Sequence, residues 1–251
     1  MKTDQIERAA SLFVGVREER IPPLDALPEE CAPHDVQAAQ AIQDKTMEML
    51  GETVGALKVG QDGEGTLLRG LIFGSRVFES PVTIPADMTR LRGVEAEIAF
   101  RFETELPHRV EPYTPEEVAA AVQALVVIEI VDSRFEDIDA TPFYDKAADF
   151  LSNGGLVISE PRADWQSFDL STLEVVLTAS GRTVKRGVGG HPAGDPILPA
   201  VAYVNAVTRT AAVPKGLIIT TGSFTGMDFM EPGDAVKAEF VGFGTAEVTF
   251  E

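Results

Sequence analysis

Cysteine is nearly absent. Cys31 is the single one in 251 residues, which excludes an intramolecular disulfide and points to a reducing compartment. Histidine is scarce as well, and His34, His108 and His191 show no zinc-type spacing. Basic residues are outnumbered, 21 Lys and Arg against 40 Asp and Glu, for a net charge of −19. Nucleic acids and anionic membranes both require clustered positive charge, so neither is an expected partner. No apolar run approaches the roughly 20 residues needed to cross a bilayer. The segment Met1-Lys2-Thr3-Asp4-Gln5-Ile6-Glu7-Arg8 carries acids and no apolar stretch, so no secretory signal is expected. Gly222-Ser223-Phe224-Thr225-Gly226 has no central serine and is not a nucleophile elbow. There is no P-loop, and Gly60, Gly63 and Gly65 lack the spacing and following helix of a dinucleotide fingerprint. Internal repeats are lacking too. The expectation is a soluble cytoplasmic protein.

What is present begins with Gly93-Val94-Glu95-Ala96-Glu97-Ile98-Ala99-Phe100. Apolar Val94, Ala96, Ile98 and Phe100 alternate with Glu95, Glu97 and Ala99, the pattern of a strand. A period of two places Glu95 and Glu97 on one face, where they repel unless water or a cation intervenes. A third carboxylate, Glu129, interrupts the apolar run Leu125-Val126-Val127-Ile128-Glu129-Ile130-Val131. A carboxylate in a buried strand needs a partner, a proton or a metal. Two readings stay open: a solvated acidic strand face, or Glu95, Glu97 and Glu129 as an oxygen half-shell for Mg²⁺ or Mn²⁺.

At 44% hydrophobic and 24% charged residues, the chain can bury a sizeable core as one large domain or two small ones. Helices are predicted from about Thr3 to Arg20, ended by Ile21-Pro22-Pro23, and from near His34 to Leu50, stopped by Gly51. Residues 1–52 are thus expected to form a helical region ahead of a β-rich body spanning 53–251. Val54 to Gly60 reads as a strand with one lysine, Lys58, followed by a Gly-rich loop from Gln61 to Gly65. Lys58 can snorkel to solvent, or it can pair with an anionic substrate or carry a proton. Thr114-Pro115-Glu116-Glu117 is a capping box with proline at the first helical position, predicting a helix that runs through Leu125 into the strand bearing Glu129. The acidic stretch after Arg134, with Glu136, Asp137, Asp139, Asp145 and Asp149, reads as solvated loop for most of these acids, while Asp132 and Arg134 lie close enough to Glu129 to support a site there. Ser180-Gly181 predicts a hairpin turn, followed by a helix from about Pro199 to Thr210. Strands at Leu217–Thr221, Val236–Val241 and Thr245–Phe250 end the chain. The class is α+β.

These motifs, taken in order, resemble a known family. Leu57-Lys58-Val59-Gly60, Gly93-Val94-Glu95-Ala96-Glu97, Ile128-Glu129-Ile130-Val131-Asp132-Ser133-Arg134, Ala148-Asp149, Pro192-Ala193-Gly194-Asp195-Pro196 and Thr221-Gly222-Ser223 resemble the 2-keto-4-pentenoate hydratase / 4-oxalocrotonate decarboxylase branch of the fumarylacetoacetate hydrolase superfamily. The resemblance implies a mixed β-roll or barrel-like core with an N-terminal helical region, and Mg²⁺ or Mn²⁺ on Glu95, Glu97 and Glu129. It implies a small 2-oxo acid substrate, Lys58 and Ser223 in catalysis, and Asp132, Arg134, Thr221 and Gly222 at the substrate, in a homo-oligomer. A hydratase is the leading expectation; a decarboxylase, an acylpyruvate-type C–C hydrolase and a non-catalytic binding or partner subunit are the alternatives. One departure stands out: the family's Asp-x-Gly after the lysine loop corresponds to Gly70-Leu71-Ile72-Phe73-Gly74, which has no acid. His191 maps to no usual family residue and reads as a surface histidine or as a replacement acid–base group.

Overall fold

The chain begins with two helices, α1 (Thr3–Arg17) and α2 (Val36–Leu50), in the computed structural model, which describes residues 1–61 and 65–251. Residues 62–64 of the predicted Gly-rich loop lie outside the described residues. Asp35 caps α2 by accepting from the Ala38 amide at 2.7 Å, and Gly51 in the left-handed conformation ends it. Helix α1 stops at Arg17 rather than Arg20, and Glu19 just beyond it has left-handed backbone geometry. Phe13, Ile42 and Cys31 form a small core with Phe135, Ala147 and Ala148, so the two helices are sealed by a segment far along the chain. The rings of Phe13 and Phe135 meet edge to face with centroids 5.7 Å apart.

The remaining elements are β1 (Val54–Gln61), β2 (Leu67–Phe73), β3 (Val77–Glu79), β4 (Val82–Ile84), β5 (Gly93–Phe102), α3 (Pro115–Ala120), β6 (Val122–Val131), α4 (Phe143–Ala148), β7 (Asn153–Ile158), β8 (Glu174–Ala179), β9 (Arg182–Val188), α5 (Ile197–Val207), β10 (Ile218–Ser223), β11 (Asp228–Phe229), β12 (Ala235–Phe240) and β13 (Gly244–Phe250). One mixed sheet runs β2-β1-β10-β5-β6-β7-β3, with β11 also beside β5; a second runs β4-β13-β12-β8-β9. Parallel pairs β1/β10, β3/β7 and β4/β13 make both sheets mixed. The large core lies between them, with Val94, Ala96, Ile98 and Phe100 of β5 facing a layer that includes Val236, Ala238, Phe240 and Val248. The alternation read from the sequence of β5 is therefore the pleat of a central strand.

Several expectations are corrected. The helix predicted through Leu125 ends at Ala120, and β6 begins at Val122 opposite Phe102. The β-branched residues of this run gain more from a ten-residue antiparallel ladder than from another helical turn. Helix α5 spans Ile197–Val207, earlier than expected. The stretch read as solvated loop contains α4 and two buried carboxylates, Asp145, which accepts from the Leu27 amide at 3.0 Å, and Asp149.

Candidate metal centre and substrate pocket

Cross-strand register builds the site. In the β5/β6 ladder Glu95 is directly opposite Glu129, and Glu97 follows two residues along. All three side chains leave the sheet on the face away from the large core, beside Ala99, Leu125 and Val127. Glu97 and Glu129 are fully buried, and the Glu95 side chain is 15% exposed. One oxygen from each carboxylate lies within 4.8 Å of the others.

Three neighbouring strands complete the shell. In β1, Lys58 is paired with Thr220 of β10, and its Nζ donates to Glu129 Oε1 at 2.9 Å while standing 3.6 Å from Glu95 Oε2. From β7, Asn153 Nδ2 donates to the same Glu129 oxygen at 3.1 Å. From β10, the Thr220 hydroxyl and the Gly222 amide (3.0 Å) both donate to Glu97 Oε2. Gly222 has φ +130°, and a Cβ there would sit 3.1 Å from Pro192 and 3.2 Å from His191 Nε2. Glycine is thus what lets this amide face Glu97.

Three carboxylates against one ammonium leave the cluster short of positive charge. Burial, reinforced by Glu129 and Glu95, pushes the Glu97 carboxyl up to about 8. Burial also raises Glu129, with the Lys58 charge opposing it. Burial works against the Lys58 ammonium, but the charges of Glu129, Glu95 and Glu97 outweigh it and hold the lysine protonated. Glu97 Oε1 and Glu129 Oε2 are buried with no hydrogen-bond partner among the described residues. Acidic oxygens without donors, converging from two adjacent strands, suit a hard divalent cation. For Glu97 and Glu129 burial overturns the solvated-face reading.

A cavity of about 430 Å³ opens beside the cluster, with Lys58, Thr221 and Gly222 in its wall. Leu68, Phe143 and Pro192 make it largely apolar. Lys146 also lines it and has no ion pair among the described residues.

Residues 73–251 match the fumarylacetoacetate (FAA) hydrolase C-terminal family. The chain belongs to this family. Among its relatives, a 2-keto-4-pentenoate hydratase of Paraburkholderia phymatum is 28% identical over 236 residues, 89% of each chain. A 4-oxalocrotonate decarboxylase of Pseudomonas sp is 32% identical over 156 residues, 61% of this chain and 58% of that one. In structure, the chain resembles 4-oxalocrotonate decarboxylase from Pseudomonas putida, solved with magnesium and adipate, at a TM-score of 0.84 and 20% identity over 100% of this chain and 99% of that one. The fold is the FAA hydrolase type, a curled mixed sheet with few helices.

The FAA hydrolase fold brings together Glu95, Glu97, Glu129, Lys58, Thr221 and Gly222. It does not bring the other expected residues to the pocket wall. Ser223 Oγ accepts from the Thr225 amide at 3.2 Å within the turn after β10. Asp132 Oδ1 accepts from the amides of Arg90 (3.1 Å) and Leu91 (3.0 Å). Arg134 is buried in an ion pair with Asp149 and reaches the cluster only indirectly, donating to the Asn153 carbonyl at 3.2 Å. His191 is neither a surface group nor a free base. It is buried, its Nδ1 accepts from the Ala193 amide at 3.2 Å, and its Nε2–H donates to the Thr221 carbonyl at 3.0 Å. Gly70, in the segment without the expected acid, pairs with Lys58 and faces the Phe150 carbonyl, which a Cβ would approach to 2.6 Å.

Sequence reading missed Thr220, Asn153 and Lys146. Thr220 had a signal, since it lies two residues before Gly222 in a predicted strand. Asn153 had none, because its place depends on a register irregularity between β6 and β7.

Proposed function

We propose that this FAA hydrolase family member is a divalent-cation-dependent lyase that adds water to a 2-hydroxy-2,4-dienoate to give a 4-hydroxy-2-oxo acid. The observation that carries this reading is Lys58, which touches the carboxylate cluster with the same side chain that lines the pocket. Glu95, Glu97 and Glu129 would hold Mg²⁺ or Mn²⁺. When bound, the cation supplies Lewis-acid polarisation of the 2-oxo acid end of the substrate.

The chain's own groups account for the rest. In the hydration of a five-carbon dienol, the C2 hydroxyl proton leaves and a proton arrives at C5; water then delivers hydroxide to C4 and a proton to C3. Lys58 Nζ, kept protonated by its carboxylate neighbours, is the group positioned to give its proton to the carbon chain and then to be reprotonated by the one leaving the C2 hydroxyl. Thr221 and Gly222 set the floor of the pocket, and Leu68, Phe143 and Pro192 shield the carbon chain from bulk water.

A second reading rests on Lys146. An unpaired ammonium in an apolar pocket suits a distal carboxylate, as in a six-carbon 2-oxo dicarboxylate undergoing decarboxylation. The relatives named 4-oxalocrotonate decarboxylase support it.

Ultraviolet absorbance of 2-hydroxypenta-2,4-dienoate with purified protein, with Mg²⁺ and then EDTA, tests the first reading. Metal-dependent loss of the dienol band with the hydrated 2-oxo acid as product is the expected result. CO₂ release from 4-oxalocrotonate, abolished by Lys146→Met, with no dienol hydration would favour the second. Mg²⁺ binding with turnover of neither compound would move the assignment to C–C hydrolysis or to a binding role.

A further inference from the structure

Four buried side-chain atoms lack a hydrogen-bond partner among the described residues, and they fall in two places. Glu97 Oε1 and Glu129 Oε2 belong to the carboxylate cluster. The other two, Arg17 Nε and Thr89 Oγ1, belong to residues that line a second cleft, of about 800 Å³, between the C-terminal end of α1 and the segments that precede β5 and follow β6. The first pair are acceptors suited to a cation. The second pair are donors.

The charge around them is unusual for so acidic a chain. Six of the 21 basic residues, Arg17, Arg20, Arg76, Arg90, Arg92 and Arg134, line this cleft, beside five acids, Glu18, Glu19, Glu52, Asp87 and Asp132. Four have partners: Arg134 binds Asp149, Arg20 binds Glu18, Arg90 binds the Phe135 carbonyl, and Arg92 donates to the carbonyls of Met230, Ala86 and Thr89. Arg76 reaches only the Met88 carbonyl, at 3.1 Å, and no carboxylate among the described residues. Arg17 makes neither a hydrogen bond nor an ion pair among them. Its guanidinium carbon instead stands 4.5 Å and 4.8 Å from the ring centroids of Phe73 and Phe150.

A guanidinium laid on aromatic faces keeps its in-plane N–H donors for another partner. The acids nearby form no ion pair with Arg17 or Arg76 among the described residues: Asp149 is held by Arg134, Glu18 by Arg20, Asp132 Oδ1 by two backbone amides, and Glu52 accepts from the Ser75 hydroxyl. Burial, with repulsion from Arg134 and Arg76, lowers the Arg17 pKa to about 9 against the pull of Asp149 and Asp132. A charge so placed is stabilised by an anion it can grip with two donors.

We propose that this cleft is a binding site for a small oxyanion, a carboxylate or phosphate group, held by Arg17 and Arg76 with the Thr89 hydroxyl as a third donor. The inference is independent of the reaction assigned to the carboxylate cluster. The oxyanion can belong to a free acid or to a carboxylate of a second copy of the chain, and the same chemistry serves both.

The test uses full-length protein in EDTA and chloride buffer, titrated by calorimetry with inorganic phosphate and, separately, glutarate. At least one probe is expected to bind and to raise the melting midpoint above a chloride control of equal ionic strength. Arg17→Met and Arg76→Met should each weaken binding about tenfold or more, the worth of a hydrogen bond to a charged group, while Arg182→Gln on exposed β9 should not. Arg17→Lys, which keeps charge and bulk but loses the planar fork, repeats the comparison if the methionine variant does not fold. Sedimentation velocity separates the sources: association that Arg17→Met and added phosphate both reduce assigns the oxyanion to a second copy. No binding by either probe together with an unchanged sedimenting mass in the Arg17 variant overturns the proposal, as does binding that neither variant alters.

Discussion

Asn153 and Glu129, on adjacent strands, are joined through a single oxygen. The Asn153 side-chain amide donates to Glu129 Oε1, which also accepts from Lys58, leaving Oε2 with no donor among the described residues. Two donors on one oxygen fix the carboxylate plane and keep the other oxygen available to a cation. Arg134, through the Asn153 carbonyl, anchors the residue that sets this orientation.

Removing the Asn153 amide should therefore loosen cation binding without removing a ligand. Asn153→Ala is expected to weaken Mg²⁺ or Mn²⁺ affinity roughly 10- to 100-fold, the range for partners that orient metal ligands. Calorimetric titration with Mn²⁺ reads this directly, and an unchanged affinity would show that Glu129 is oriented by Lys58 alone.

Glu97→Gln separates metal binding from folding. In EDTA, the variant should melt higher than the parent, because a buried acid beside two other carboxylates is lost while an acceptor for the Thr220 hydroxyl and Gly222 amide is kept. In Mg²⁺ the order should reverse, since only the parent gains stability from the cation. Differential scanning fluorimetry in the two buffers gives both signs.

Gly222→Ala should damage the site through its backbone. The φ of +130° is strained for any residue with a Cβ, and that atom would press on Pro192 and His191. A loss of about 1–3 kcal/mol is expected from urea denaturation. Turnover should fall more than stability alone explains, because the Gly222 amide would be displaced from Glu97.

The pH dependence of stability should carry a histidine contribution with a definite sign. Burial lowers the His191 pKa below its usual 6.5, with the Thr221 carbonyl partly opposing. The unfolded chain then binds a proton at higher pH than the folded one. The stability from the neutral ring is present above about pH 6.5 and is lost as pH falls through the lowered folded value. His191→Gln keeps a donor for the Thr221 carbonyl but does not titrate. Its unfolding free energy should fall less steeply than the parent's between pH 7 and pH 5, and equal slopes would remove His191 from the account.

Local pattern made much of this protein legible. The alternation in β5 announced both the core face, with Val94, Ala96, Ile98 and Phe100, and the face carrying Glu95 and Glu97. Glu129 was identifiable because an acid inside an apolar strand must be compensated, and it proved fully buried. The Gly51 stop of α2 and the Thr114 cap of α3 appear as read, since each acts within a few residues of itself. Short-range chemistry is written in short-range sequence.

Long-range neighbours were not legible in that way. Asp149, read as solvated loop, is buried because the chain after α4 brings it to Arg134, and Arg134 is spent on that pair instead of facing the pocket. Ser223, expected in catalysis, turns toward Thr225, whereas Thr220, three residues earlier, reaches Glu97 because register shifts between β10 and β5. The sequence by itself determined strands such as β1, β5 and β6, the Gly51 stop, the Thr114 cap and the three carboxylates, because each depends on side-chain periodicity or on bonds to nearby backbone. Only the tertiary structure decided that Lys58 and Asn153 share one oxygen of Glu129, and that Arg17 and Arg76 line one cleft with no carboxylate paired to either among the described residues. Both depend on pairing register and helix docking, which the whole folded chain fixes at once.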